Sequence, residues 1–166
     1  MGDSVTSGVP DDEGYRKNLY LDLNDSSFNV DFVGSQNSGT GPDNDNEGHV
    51  GYHANDIMAN VYGWLVDNPA DVVLLHIGTN DIGGGQVAAG IVAEVEGILD
   101  NIDDWESDSS KNVTVILARI ILRSDSPSWN TTTKAYNDEL EAMALVRIAS
   151  GDRLIIVDME LSLIHI

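Results

Sequence analysis

The feature that most constrains the fold is an alternation of short apolar runs with helix-type apolar stripes. The runs at residues 72–75, 113–117 and 153–157 are typical of strands buried on both faces. The stripes are formed by Tyr15, Leu19 and Leu23; by Ile57, Val61, Trp64 and Leu65; by Val87, Ile91, Val95, Ile98 and Ile102; and by Tyr136, Leu140, Ala144 and Ile148. Strands separated by helices predict right-handed crossovers and a parallel sheet covered on both faces. The predicted fold class is therefore α/β.

Two polar stretches interrupt this pattern. An earlier apolar segment, residues 30–34, predicts one further short strand, and residues 34–51 then form a loop rich in Gly, Asn, Asp and Ser. A shorter polar loop is predicted over residues 124–133. Long loops in compact domains are usually functional or mobile. No repeat or linker divides the chain, so we expect residues 1–166 to form a single domain.

Charge and composition exclude several classes of function. The 166 residues include 28 acidic and 8 basic side chains, a formal net charge of −20. Because phosphate binding needs clustered cations, we expect no nucleic-acid partner and no anionic membrane surface. The chain has no cysteine, which excludes disulfides, thiol nucleophiles and Cys-ligated zinc. Triplets of the N-glycosylation type begin at Asn24, Asn112 and Asn130, a mild indication of a secreted, extracellular protein.

Candidate functional residues follow the predicted strands. Ligands of open parallel sheets bind beyond the carboxyl ends of the strands, which directs attention to residues 34–39 and 78–81, together with residues 2–8. Each motif alone is consistent with an ordinary turn or a helix cap. Together they offer the Ser4 hydroxyl as a nucleophile, with the backbone N–H groups of Ser4 and Gly34 and the Asn80 amide as donors to an oxyanion. The Gly-x-Ser-x-Gly elbow does not occur, which disfavours a strict α/β-hydrolase.

These residues resemble a known family. Three segments are similar to the first three blocks of the SGNH (GDSL) hydrolases. They are Gly-Asp-Ser-Val-Thr-Ser-Gly at 2–8, the glycine after the strand-type residues 31–33, and Gly-Thr-Asn-Asp at 78–81. Residues 30–36 and 45–52 further resemble the family 3 carbohydrate esterases, many of which are acetyl xylan esterases. The resemblance implies the SGNH hydrolase fold, a flavodoxin-like three-layer α/β/α arrangement around a central parallel sheet.

The resemblance also implies a reaction and a set of site residues. Ser4 would be the nucleophile, and Ser4, Gly34 and Asn80 would form the oxyanion hole. Glu47, Gly48 and His49 would flank the cleft and bind the substrate. The implied reaction removes acetyl groups from esterified sugars such as acetylated xylan through an acyl-serine intermediate, without a metal or other cofactor.

The chain departs from the family pattern at two places. The family has an apolar strand directly before Gly-Asp-Ser, whereas only Met1 stands there in this sequence. The family also has an Asp-x-x-His block that supplies the general base, but Asp158 is followed three residues later by Leu161. We therefore expect an incomplete domain whose first strand is missing or replaced, residues 159–166 as a tail unlike the family, and impaired turnover.

The four histidines were considered as substitutes for this base. His76 lies in a predicted strand and is expected to be a hydrogen-bonded core residue. His49 and His53 are expected to make loop contacts. His165 is a candidate stand-in base if residues 161–166 fill the vacant strand position in the same or a neighbouring molecule, and the alternative is a tail that only packs or is disordered.

Two other functions remain open at this point. The first is a non-catalytic carbohydrate-binding remnant that keeps the cleft without the base. The second is a chain without native activity that persists as a fold through self-association, because unpaired sheet edges favour homo-oligomers.

Overall fold

The central feature of the fold is a parallel three-stranded sheet. The computed structural model describes residues 1–9 and 14–160 of the chain. Strands β3 (Val72–Leu75), β4 (Thr114–Arg119) and β5 (Leu154–Asp158) pair in that order. Their register places Leu75 opposite Leu117 and Leu117 opposite Ile156. The three later apolar runs are strands and the sheet is parallel, so the predicted α/β class is confirmed.

Three long helices connect and cover these strands. They are α3 (Ala54–Asp67), α5 (Ala88–Ser109) and α6 (Asn130–Ser150), and α5 packs against both α3 and α6. A one-turn helix α4 (Thr79–Gly83) follows β3. The core between helices and sheet contains Ile57, Val61, Leu65, Ile91, Val95, Ile98, Ile102, Tyr136, Leu140 and Ala144. The helical spacing thus identified the buried face of each long helix, apart from Val87 at the start of α5 and Ile148 near the end of α6, which are exposed.

The two faces of the sheet are covered to different extents. Strand side chains alternate between faces, and Val73 and Val115 belong to the core shared with the helices. On the opposite face, Val72 and Ile155 are each 50% exposed and Val157 is 38% exposed. Full cover on both faces was expected. In the part of the chain that the structure describes, the second face is the less covered of the two.

The first fifty residues form short elements. Helices α1 (Ser4–Ser7) and α2 (Arg16–Asp25) are followed by a two-residue antiparallel pair, β1 (Gln36–Asn37) and β2 (Asp45–Asn46). The strand predicted at residues 30–34 is wrong, because these residues are irregular. A strand needs a neighbour with which to exchange backbone hydrogen bonds. Among the described residues, Gly2 forms an isolated bridge to His76 beside β3, so the segment has no ladder there to join.

Two further features of the fold are the extent of the second polar loop and the length of the helices. Within the predicted loop at 124–133, Pro127–Trp129 form a 3₁₀ turn and α6 begins at Asn130, so the loop is shorter than predicted. None of the described helices is both long and apolar enough to cross a membrane.

Candidate active site

The site is organised by Gly2, which forms a parallel bridge on each side. Its N–H donates to the Glu47 carbonyl at 3.0 Å, and its carbonyl accepts from the His49 N–H at 2.9 Å. On the other side Gly2 bridges to His76 at the end of β3. Residues 2, 48 and 76 are therefore laterally adjacent, as in a sheet with strands about 4.8 Å apart. Ser4, Gly51 and Asn80 follow these three residues by two, three and four positions, at the same edge.

Ser4 begins the short helix α1. Asp3 caps this helix, because its Oδ1 accepts the Val5 N–H at 2.9 Å. The Gly8 N–H then closes the turn by donating to the Ser4 carbonyl at 2.9 Å. Ser4 itself is only half-buried. The arrangement holds the serine backbone at the start of a turn and leaves its side chain within reach of a ligand.

The Asn80 side chain is held in a fixed orientation. It lies inside α4, whose N-cap is Gly78, so Asn80 does not cap the helix. Its Nδ2 donates to the Tyr52 carbonyl at 2.8 Å. That bond uses one of the two amide protons and determines which way the amide points. The second proton is the one that can serve an oxyanion.

Gly34 lies against the backbone of Asn46 and Glu47. A Cβ placed on Gly34 would stand 2.1 Å from the Asn46 carbonyl oxygen, which shows how closely the two backbones approach. The next residue, Ser35, donates its N–H to Glu47 Oε2 at 2.8 Å. The role of Gly34 in the oxyanion hole stays a prediction.

Gly51 is a candidate donor that the sequence reasoning missed. It directly precedes Tyr52, whose carbonyl orients Asn80, and its φ of +82° lies in the left-handed region that favours glycine. No atom lies within 4 Å of where a Cβ would stand, so its surroundings are open. The available signal was the spacing Gly48-His49-Val50-Gly51, which was taken only as a flank of the cleft.

The three predicted substrate-binding residues point mainly inward. Glu47 and Gly48 are buried. Glu47 accepts from both the N–H and the hydroxyl of Ser35, and its Oε1 lies 2.6 Å from His49 Nε2. The His49 side chain is 13% exposed. Substrate binding by these residues stays a prediction, and their observed contacts are with the protein itself.

The model of the GDSL-like Lipase/Acylhydrolase family matches residues 1–160 of this chain. The chain belongs to that family. The resemblance inferred from the motifs at residues 2–8 and 78–81 is therefore confirmed, and this GDSL-family chain can be compared with solved and curated relatives.

Two solved structures and one curated protein are similar to it. A Clostridium thermocellum family 3 carbohydrate esterase shares 30% identity and a TM-score of 0.79 over 96% of this chain and 75% of that one. An acetyl esterase mutant with an acetate ion shares 27% identity and a TM-score of 0.82 over 98% and 78%. A multidomain esterase of Ruminococcus flavefaciens is 31% identical over 111 residues, which cover 52% of this chain but only 14% of that protein.

The described histidines of this GDSL-family chain do not bond the candidate nucleophile. His49, His53 and His76 make no hydrogen bond to the Ser4 hydroxyl within residues 1–9 and 14–160. His53 Nδ1 lies 3.5 Å from Asp81 Oδ1. The hydrogen-bonded state expected for His76 is wrong, since both of its ring nitrogens are buried without a partner in the described part. Burial lowers the pKa of His76 to about 4. His165 lies outside the described residues.

Two buried carboxyl groups lie beneath the site. Asp3 and Asp81 are fully buried, and each has one carboxyl oxygen without a hydrogen-bond partner among the described residues. Burial, with a smaller contribution from the nearby Asp81 carboxylate, raises the pKa of Asp3 to about 6. The second oxygen of Asp81 accepts the Ala54 N–H at 3.0 Å and so anchors the start of α3 beside Asn80.

A buried arginine connects helix α1, which begins at Ser4, to the polar loop. Arg16 Nε donates to the Thr6 carbonyl at 2.9 Å, and Nη2 donates to the carbonyls of Ser7 at 3.0 Å and Ser38 at 2.8 Å. Nη1 donates to the Asn44 carbonyl at 3.2 Å. Nothing in the sequence pattern indicated this role, because an arginine in a surface helix is mostly exposed to solvent. Within the described ranges, no group of three or more His, Asp or Glu side chains could hold a metal ion.

Proposed function

We propose that this chain is a serine esterase that removes acetyl groups from acetylated carbohydrate, with Ser4 as nucleophile. The observation that carries the proposal is the double bridge of Gly2, which sets Ser4 at the same edge as Gly51 and the oriented Asn80 amide. The relatives support the same chemistry, because one is a carbohydrate esterase and another an acetyl esterase with an acetate ion. Secretion to the extracellular space is part of this proposal.

The chemistry follows from the placement of these groups. The Ser4 Oγ attacks the acetyl carbonyl carbon and loses its proton as the tetrahedral intermediate forms. The negative charge on the former carbonyl oxygen is received by the backbone N–H groups of Ser4 and Gly51 and by Asn80 Nδ2. Collapse of the intermediate breaks the ester bond and releases the sugar hydroxyl with a proton. Water then attacks the acetyl-serine, which releases acetate and restores Ser4.

The proton acceptor is the part of this chemistry that the described residues do not supply. None of the described histidines bonds Ser4. Leu161 stands where the family pattern places its histidine. Loss of one triad member leaves an advantage of about 10³–10⁴ over water, from oxyanion stabilisation and binding. We therefore expect slow turnover by the chain as given.

The test is acetate release from acetylated xylan and from 4-nitrophenyl acetate. Ser4→Ala should abolish the turnover, and Asn80→Ala should lower kcat by about 10²–10³, the effect of removing one oxyanion donor. Ser26→Ala, an exposed serine at the end of α2, is the matched control and should keep full activity. A version extended by an Asp-x-x-His segment should be faster than the chain as given. Unchanged activity in Ser4→Ala would refute the assignment of the nucleophile.

A second candidate function is carbohydrate binding without turnover. It is favoured by the same observation that Ser4 is not bonded to any described histidine. Calorimetric binding of acetylated xylo-oligosaccharides, with no acetate release by any version of the chain, would support it. Tight binding that Ser4→Ala leaves intact, together with turnover that Ser4→Ala abolishes, would support the esterase.

A further inference from the structure

The His49 ring stacks with two aromatic rings. The Tyr52 ring is stacked on it with centroids 4.6 Å apart and planes at 18°, and the Trp64 ring with centroids 4.5 Å apart and planes at 9°. Trp64 belongs to α3 and packs against the hydrophobic core. Both neighbours therefore fix the plane of the imidazole relative to the rigid part of the molecule.

The edge of the same ring is held by a buried carboxylate. His49 Nε2 lies 2.6 Å from Glu47 Oε1, and Glu47 also binds the N–H and the hydroxyl of Ser35. The backbone of both residues pairs with Gly2, directly before the nucleophile turn. His49 thus contacts Trp64 of α3 through its ring, Gly2 through its backbone N–H, and Ser35 indirectly through Glu47.

The backbone of His49 also closes the turn that contains Gly51. The Tyr52 N–H donates to the His49 carbonyl at 3.1 Å, and the Tyr52 carbonyl accepts from Asn80 Nδ2 at 2.8 Å. A change in the position of His49 moves this turn. The turn carries both the Gly51 N–H and the acceptor that orients the Asn80 amide.

We propose that His49 is a positioning residue, which sets the Gly51 turn and the Asn80 amide for the reaction at Ser4. The inference rests on the proposed esterase function and replaces a direct contact with substrate as the role of His49. Tyr52 and Trp64 stack against the imidazole, Nε2 is engaged by Glu47, and the side chain is 13% exposed. Little of this side chain is therefore accessible to a sugar.

Two substitutions separate the contributions of the ring. His49→Phe keeps an aromatic ring against Tyr52 and Trp64 but removes the donor to Glu47. His49→Gln can keep a donor near Nε2 but removes the stacking. Each should lower kcat by about 10- to 100-fold, because small displacements of aligned groups have effects of this size, while KM stays within about twofold. A rise in KM with unchanged kcat would overturn the proposal in favour of direct substrate contact.

The hydrogen bond to Glu47 is tested with a matched pair. Glu47→Gln removes an acceptor and should lower kcat in the same way as His49→Phe. Glu96→Gln makes the same chemical change on the exposed face of α5 and should leave kcat unchanged. Activities are divided by the folded fraction measured by near-UV circular dichroism. Loss of folded protein with an unchanged kcat per folded molecule would reduce His49 to a structural residue and overturn the proposal.

A readout independent of ester hydrolysis decides the proposal if the chain proves inactive. Hydrogen exchange by NMR should show the Tyr52 N–H and the Asn80 side-chain amide exchanging at least about fivefold faster in His49→Phe, the change expected from loss of a hydrogen bond. The Ile116 N–H in β4 should be unaffected. Unchanged exchange at Tyr52 and Asn80 would overturn the positioning role, whether or not esters are hydrolysed, whereas an inactive chain with the predicted exchange would contradict only the esterase function.

Discussion

The first 53 residues and the remainder of the chain are held together by different forces. Every buried apolar core residue in the described part of the chain lies at or after Ala54. The buried side chains of the earlier region are polar or charged. They are Asp3, Thr6, Ser7, Arg16, Asn46 and Glu47. The later region is stabilised mainly by the hydrophobic effect, and the earlier one by hydrogen bonds that link loops.

This difference explains how one rigid and one irregular region build a single site. The later region supplies Asn80 directly after β3, at a position determined by strand and helix packing. The earlier region supplies Ser4 and the Gly51 turn, and it has little apolar area with which to hold them. Directional bonds from Arg16 and Glu47 to backbone groups perform that task. Substitutions in the later region should therefore lower the stability of the whole chain, whereas substitutions in the earlier region should mainly loosen local segments.

The largest effect is expected from a truncation in the apolar region. Ile98 is fully buried in α5, so Ile98→Ala should lower the free energy of unfolding of the whole chain by about 2–5 kcal/mol. Val66→Ala, at a mostly exposed position of α3, is the control and should change it by less than about 0.5 kcal/mol. Denaturant unfolding followed by circular dichroism measures both. A small effect of Ile98→Ala would contradict the assignment of the core.

The next effect concerns pH and the buried Asp3. Its pKa is raised by burial to about 6, from 3.8 in a free side chain, so between pH 4 and pH 6 the native state binds more protons than the unfolded state. Asp3 therefore contributes stability at low pH that is lost as pH rises through about 6. His76, whose pKa burial lowers to about 4, contributes in the opposite direction over much of the same range.

A difference measurement isolates Asp3 from His76. Asp3→Asn keeps an oxygen to cap Val5 but does not titrate. From pH 4 to pH 7, the stability of the original chain relative to Asp3→Asn should fall by about 3 kcal/mol, since one pKa unit corresponds to about 1.4 kcal/mol. Denaturant unfolding at each pH gives the two curves. A difference that does not vary with pH would show that Asp3 titrates as in the unfolded chain.

The smallest effect on stability should also be the most local. Arg16→Met removes the bonds to the carbonyls of Thr6, Ser7 and Ser38, so local opening of α1 should become easier by about 2 kcal/mol. Hydrogen exchange at the Gly8 N–H reports this opening, because that group closes the α1 turn. Lys17→Met, the next residue with a solvent-exposed hydrogen bond to Thr40, is the control. If the β4 amide protons of Arg16→Met exchanged faster by the same factor, the two regions would not differ in the way described.

The sequence predicted the apolar region better than the polar one. Helical spacing and continuous apolar runs report burial directly, and they correctly indicated α3, α5, α6 and the three parallel strands. The strand expected at residues 30–34 failed, because pairing depends on a partner that local composition does not reveal. The same limit applies to cover of the second sheet face, where Val72 and Ile155 are half-exposed.

The motifs of the candidate site could be predicted from the sequence, but the contacts that hold them in place could not. Ser4 and Asn80 were predicted because a hydroxyl and an amide in short motifs have a recognisable chemistry, and their roles stay predictions. The stacking of His49 with Tyr52 and Trp64 depends on separate parts of the chain meeting, and the positive φ of Gly51 depends on the turn before Tyr52. Arg16 was overlooked because charge alone suggests solvent, whereas here the guanidinium binds buried backbone carbonyls.

The central claim is that Ser4 reacts at a point where Gly51 and Asn80 receive the developing charge. Binding of methylboronic acid, which forms a tetrahedral adduct with a serine hydroxyl, tests it by amide NMR. The account predicts an adduct on Ser4, with large shifts at the Gly51 N–H and the Asn80 side-chain amide, and no such shifts in Ser4→Ala. Shifts that persist in Ser4→Ala, or an adduct on Ser4 that leaves both Gly51 and Asn80 unchanged, would contradict it.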